Sequence, residues 1–179
     1  MGELDHRVHN RERVFEGTKF AVDVVDLVGR SGATLHREIV VHSGAVVILA
    51  LTADDELVLI RNQRFAVGKE IYELPAGTLE AGEDPADCAG RELLEETGYR
   101  ADTIKQLTSF YTTPGICNER MHAFLATGLH HEGQQLEDGE HITVETIPRK
   151  RVLEMIQNGE IEDAKTIAMI LFQQLFTEK

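Results

Sequence analysis

The sequence predicts an α/β fold, a sandwich of helices about a mixed β-sheet, preceded by a small antiparallel β piece. Three observations carry that expectation. Short runs rich in Val, Ile and Phe recur from Phe20 to Ile147, with turn residues between them. An acidic helix falls in their midst, between Glu83 and Gly98, and two stretches of helical spacing close the chain. Strands broken by a central helix and followed by further helices are the pattern of a sheet covered on both faces.

Each element has its own signal. Phe20 to Leu27 is a strand-like run, Gly29 to Gly32 a turn, and Thr34 to Val41 the return strand. These put a small antiparallel piece in residues 12–42, so the chain divides into an N-terminal β subdomain, 1–42, and a main domain, 43–179. Ser43 and Gly44 punctuate before Ala45 to Leu51, the longest apolar run and a buried strand, which Asp54-Asp55 turns into its hairpin partner Glu56 to Arg61. Ile71 to Leu74 leads into Pro75-Ala76-Gly77. The central helix then has Asp84 as N-cap, Pro85 in its first turn, Asp87 favourable to the dipole and Gly98 as left-handed stop, with Ala86, Ala89, Leu93 and Leu94 as its apolar stripe. Ile104 to Tyr111, Arg120 to Thr127 and His141 to Ile147 read as strands. Lys150 to Gly159 and Asp163 to Phe176 read as helices, the latter with Ile167, Ile170, Leu171 and Leu175 on one face.

Composition narrows the function. The 179 residues are 42% hydrophobic and 27% charged, ordinary for one packed domain with a small appendage. A net charge of −13 disfavours a general nucleic-acid binder, which needs a basic footprint. No apolar run is long enough to span a bilayer, and residues 1–13 do not resemble a signal peptide. Two cysteines, Cys88 and Cys117, make no disulfide framework, so a reducing, cytoplasmic setting is expected. The eight histidines form no zinc-binding pattern, and there is no phosphate loop or dinucleotide fingerprint.

The chemistry concentrates on the central helix. Glu92, Glu95 and Glu96 stand at i, i+3 and i+4, so their carboxylates share one side. Like charges at that spacing each cost a few tenths of a kcal/mol, and a divalent cation is the usual remedy. The spacing therefore points to a metal site. Arg91, four residues before Glu95, can pair with it and orient its carboxylate. A solvated acidic helix is the alternative.

From Gly77 to Tyr99 the chain resembles the Nudix box, G-x5-E-x7-R-E-U-x-E-E-x-G-U with U aliphatic, on Gly77, Glu83, Arg91, Glu92, Glu95, Glu96 and Gly98. Tyr99 departs from the aliphatic residue at the last position. The resemblance implies the Nudix fold and hydrolysis of a nucleoside diphosphate linked to another moiety. It implies Mg2+ or Mn2+ held by Glu92 and Glu96, with Glu95 either a ligand of a further ion or a group that orients water, and Arg91 orienting the carboxylates from behind. Glu83 is read as a loop-fixing group.

Three flanking segments are similar to ADP-ribose pyrophosphatases. In Arg61-Asn-Gln-Arg64, followed by Glu73-Leu-Pro-Ala-Gly77, the likeness makes Arg64 a substrate contact and the Ala76 carbonyl a metal ligand. Pro114, downstream of the box, resembles the marker of that subgroup; Glu119 beside it is either a ribose contact or a solvated side chain. In the acidic loop from Leu136 to Glu145, Glu140 best matches a glutamate that acts as base or positions water, with Glu137 second. The same resemblance implies a homodimer in which the N-terminal piece contributes to the partner's pocket, with Phe15 or Phe20 stacking on the base. ADP-ribose would yield AMP and ribose 5-phosphate. Other nucleoside diphosphate sugars, dinucleotides, RNA caps and a non-catalytic ADP-ribose sensor are the alternatives.

Overall fold

The structure is a computed structural model that describes residues 8–136 and 138–176. The described residues separate into two compact units, one of residues 8–44 with 111–120 and one of residues 45–110 with 121–136 and 138–176.

The first unit is built on a three-stranded antiparallel sheet: β1 (Val8–Glu16), β2 (Ala21–Val28) and β3 (Thr34–Val41), in that order. The β2–β3 hairpin falls where Val-rich runs and the Gly29–Gly32 turn place it. β1 escaped the sequence reading because Val-His-Asn-Arg-Glu-Arg-Val-Phe-Glu shows no apolar alternation, and nearly all of it is exposed. It is held instead by its ladder to β2 and by Asp23, a buried carboxylate that accepts from Arg11 Nε at 2.5 Å and Arg13 Nε at 2.6 Å. Residues 111–120 join this unit through Val40, which donates to the Ile116 carbonyl (2.8 Å) and accepts from the Asn118 N–H (3.2 Å).

The second unit is an α/β/α sandwich about a seven-stranded mixed sheet. Its strands are β4 (Ala45–Leu51), β5 (Glu56–Arg64), β6 (Lys69–Glu73), β7 (Ala76–Thr78), β8 (Tyr99–Tyr111), β9 (Arg120–His131) and β10 (Ile142–Pro148). The order is β10-β5-β4-β9-β8, with β6 on β5 and β7 on β4; β4 runs parallel to β9 and antiparallel to β5 and β7. The helices are α1 (Pro85–Thr97), α2 (Arg149–Gln157) and α3 (Ala164–Phe176).

β4 shows why its sequence is apolar without alternation. Val46, Ile48 and Ala50 join Ala89 and Leu93 of α1 in one core, whereas Ala45, Val47 and Leu49 join Val152 and Met155 of α2 and Met169 and Ile170 of α3 in the other. A strand buried on both faces needs apolar side chains at every position. Each such Leu or Ile contributes roughly 1.5–3 kcal/mol by leaving water. Tyr99, the odd residue at the end of the glutamate motif, packs partly against the α1-side core.

Two helix faces differ from expectation. On α1 the buried stripe is Cys88, Ala89 and Leu93, while Ala86 is exposed. On α3 the buried positions are Thr166, Met169, Ile170 and Gln173, and Leu171 and Leu175 face outward. The hydrophobic count misled there because two polar residues turn inward: Thr166 accepts from the Leu74 N–H at 2.8 Å, and Gln173 bonds Arg149.

Candidate active site

Helix α1 starts where the Asp84 carboxylate accepts from the Ala86 N–H at 2.8 Å and Pro85 occupies the first turn. It stops at Gly98, whose φ of 73° lets its N–H reach the Leu94 carbonyl at 2.8 Å. Between these ends, Glu92, Glu95 and Glu96 stand on one side, and two of them are tied to the Pro75-Ala76-Gly77 segment. Glu96, 4% exposed, accepts from the Ala76 N–H at 2.8 Å. Glu92 lies against Gly77 so closely that a Cβ there would fall 1.8 Å from its carboxyl carbon. Only glycine permits that approach.

Arg91 is the hub of the cluster. Its Nε and Nη2 fork onto Glu83 at 2.9 and 3.1 Å, and its Nη1 donates to Glu92 at 2.8 Å and Glu95 at 2.9 Å. The Arg91–Glu95 pair read from the spacing is present, within a wider network. Glu83 also accepts from the Glu80 N–H at 2.9 Å, which fixes the loop before the helix. The hydrogen bond from Arg91 leads in lowering the Glu83 pKa to about 2. Glu96 behaves oppositely: burial pushes it up to about 8, and the charges of Glu92 and Glu140 push the same way. Burial also raises Glu92, again with Glu140 contributing.

A buried carboxylate, Glu96, and a half-buried one, Glu92, whose ionisation is disfavoured by burial call for a cation. Among the described residues, no three His, Cys, Asp or Glu side chains converge as a finished ion cage. Arg91 holds Glu92 and Glu95 by hydrogen bonds from one nitrogen. The donors on offer, Glu92, Glu95, Glu96 and the Ala76 backbone, are oxygens, and that set fits a hard divalent cation.

Glu140 is half-buried, and its charge reaches both Glu92 and Glu96; Glu137 lies outside the described residues. Arg64 ends β5, where its Nε and Nη2 both donate to Glu73 at 2.6 Å, and its charge also reaches Glu96. Glu73, 1% exposed, and Lys165, which donates to it at 2.6 Å, were not singled out from the sequence. A charge inside the apolar run Ile71 to Leu74 is the signal for Glu73, since a buried carboxylate requires a cation. Phe20, Pro114 and Glu119 belong to the first unit. Phe20 is 46% exposed with its ring 5.7 Å from that of Phe15, Pro114 is exposed, and Glu119 is half-buried, accepting from the Thr112 hydroxyl at 2.5 Å. Cys88 is buried and its thiol is pushed up to about 12, first by desolvation, which makes it a packing residue.

A mixed sheet between helices, with an arginine-braced glutamate cluster facing a Gly-containing strand, defines a class of hydrolase. Residues 41–170 match the NUDIX domain family, and the chain belongs to it as a Nudix hydrolase, a family whose chemistry needs a divalent metal cation. Over 177 residues, 98% of this chain and 96% of the other, it is 37% identical to the ADP-ribose pyrophosphatase of Bacillus subtilis (strain 168). It is 36% identical, again over 98% of this chain and 96% of the other, to the methanol dehydrogenase activator of Bacillus methanolicus. A crystal structure of an ADP compounds hydrolase shares the fold, with a TM-score of 0.82 at 23% identity over 93% of this chain and 91% of that one.

Proposed function

We propose that this protein is an ADP-ribose pyrophosphatase, dependent on Mg2+ or Mn2+, that releases AMP and ribose 5-phosphate. The observation that carries the proposal is the carboxylate cluster of α1, with Glu96 buried against Ala76, Glu92 against Gly77, and Arg64 within electrostatic reach of Glu96. The near full-length likeness to a relative named for that activity supports the choice of substrate.

In this reading Glu92, Glu95, Glu96 and the Ala76 carbonyl hold the metal. When bound, divalent ions neutralise the diphosphate and acidify water. The chain's own groups do the rest. Arg91 keeps Glu92 and Glu95 oriented, and Glu83 clamps Arg91. Arg64 donates to the diphosphate from the part of its guanidinium outside the Glu73 fork. Glu140 accepts a proton from the attacking water as its oxygen bonds to phosphorus and the bridging P–O bond breaks. Phe20, Pro114 and Glu119 are proposed contacts for the base and ribose. We further place the enzyme in the cytoplasm, where its free thiols Cys88 and Cys117 would stay reduced, as a homodimer with no nucleic-acid or membrane partner. Among the described residues no helix is long and apolar enough to cross a membrane.

The test is a substrate panel: ADP-ribose, ADP-glucose, GDP-mannose, NADH and diadenosine polyphosphates, each with Mg2+ and with Mn2+. ADP-ribose should give the highest kcat/KM. Preference for another member would move the assignment to that substrate class.

A further inference from the structure

We infer that Glu73 and Lys165 are positioning residues for recognition of the substrate diphosphate, acting through Arg64. Glu73 holds the guanidinium by a two-point fork, and Lys165 balances the fork's negative charge so that Arg64 still presents a cation to an anion. The inference rests on the pyrophosphatase reading of this site.

Glu73 ends β6 inside an apolar run and is 1% exposed. Arg64 reaches it from β5, the neighbouring strand, and donates from Nε and Nη2 at 2.6 Å each. A guanidinium carries five N–H donors, and this fork uses two of them. The Arg64 side chain remains 41% exposed, with its Nη1 end outside the fork. The fork thus fixes Arg64 without consuming it.

Lys165 comes from the first turn of α3. A cation there opposes the helix dipole, so its position is set by what it binds and not by the helix. It donates to Glu73 at 2.6 Å and lies 3.0 Å from Asp163. Asp163 in turn accepts from the Thr166 N–H at 2.9 Å and hydroxyl at 2.6 Å, and Thr166 accepts from the Leu74 N–H. One network therefore fastens α3, β6 and Arg64 immediately before the Pro75-Ala76 segment that meets Glu96. The charges of Arg64, Lys165, Glu73 and Asp163 balance. Removing Lys165 leaves a net negative group beside Arg64, which would repel a diphosphate. Burial by itself would raise the Glu73 pKa, and its two cations together hold it below the ordinary carboxylate value.

The experiment measures steady-state kinetics on ADP-ribose with Mg2+ for Glu73→Gln, Arg64→Lys, their double variant, Lys165→Met and Lys165→Arg. Melting temperatures establish that each is folded. Glu73→Gln and Lys165→Met should raise KM by about tenfold or more with kcat within about threefold, the pattern of lost binding shared by ground and transition states. The double variant should be no worse than the weaker single, since Glu73 acts through Arg64. Lys165→Arg should return KM to within about threefold of the parent. Unchanged KM, a fall in kcat alone, or losses that multiply in the double variant would overturn the inference. Should Glu73→Gln fail to fold, the Lys165→Met and Lys165→Arg pair decides by the same criteria. Should the parent prefer another substrate, the proposed function fails while the same KM pattern on that substrate still decides the inference. Should the parent turn over none, the Kd for α,β-methylene ADP replaces KM.

Discussion

Arg91 and Glu96 mark the two electrical extremes of the site. One guanidinium contacts three carboxylates, and the carboxylate beyond its reach is the one whose ionisation burial resists most. The glutamate spacing and the Arg91–Glu95 pair were legible because helix geometry fixes which neighbours meet. The Arg64–Glu73–Lys165 network was not, since Lys165 and Glu73 stand 92 residues apart and only the fold joins them. Two expectations belong to this scale. Glu140→Gln should cut kcat by about a hundredfold with little change in KM, as for a group acting mainly in the transition state. A KM effect alone would make Glu140 a binding residue. Glu83 gives a pH signature. Its pKa is lowered from 4.5 to about 2, so its stabilising contribution is complete above the unfolded value and lost as pH falls through the folded one. Urea unfolding should therefore find Glu83→Gln less stable than the parent above about pH 5, with the gap closing toward about pH 2. A gap independent of pH would contradict the ion-pair account.

At the scale of elements, α1 was readable to its ends because caps are local chemistry. Asp84, Pro85 and Gly98 announced boundaries that the structure reproduces. β1 and β7 were not readable: the first carries polar residues on both faces, and the second is three residues long, held by its ladder to β4. The outward Leu171 and Leu175 of α3 show the limit of hydrophobic spacing where Thr and Gln take the buried positions. Gly98 is doubly constrained, since its φ is 73° and an added Cβ would stand 2.6 Å from the Gly133 carbonyl carbon. Gly90, in the interior of α1, would meet Ile104 at an ordinary 3.4 Å. Gly98→Ala should lower stability by at least about 2 kcal/mol, whereas Gly90→Ala should be neutral or stabilising by up to about 1 kcal/mol. Equal effects in thermal unfolding would mean that the Gly98 turn is not the constraint described.

For the whole molecule, the mixed sheet between helices was inferable from element order, and the grouping of residues 111–120 with the N-terminal strands was not. That grouping rests on the Val40 N–H donating to the Ile116 carbonyl and the Asn118 N–H donating to the Val40 carbonyl, which no local pattern announces. The first unit also exposes Val14, Phe15, Phe20, Leu35, Tyr111 and Ile116, apolar surface suited to the proposed association of two copies. Deleting residues 1–42 would strip 111–120 of its strand partner and should give an inactive, aggregation-prone protein. A soluble, active monomer from that deletion, by sedimentation and assay, would contradict the dimer proposal.

In the proposed function, metal held by the α1 carboxylates drives cleavage of a diphosphate. Its most direct test is product release from ADP-ribose by the parent with Mg2+, by the parent in EDTA, and by Glu96→Gln with Mg2+. Under the proposed function the parent with Mg2+ yields AMP and ribose 5-phosphate, turnover is absent in EDTA, and kcat is at least about a hundredfold lower for a folded Glu96→Gln. Near-parental turnover in either of the last two arms would contradict it.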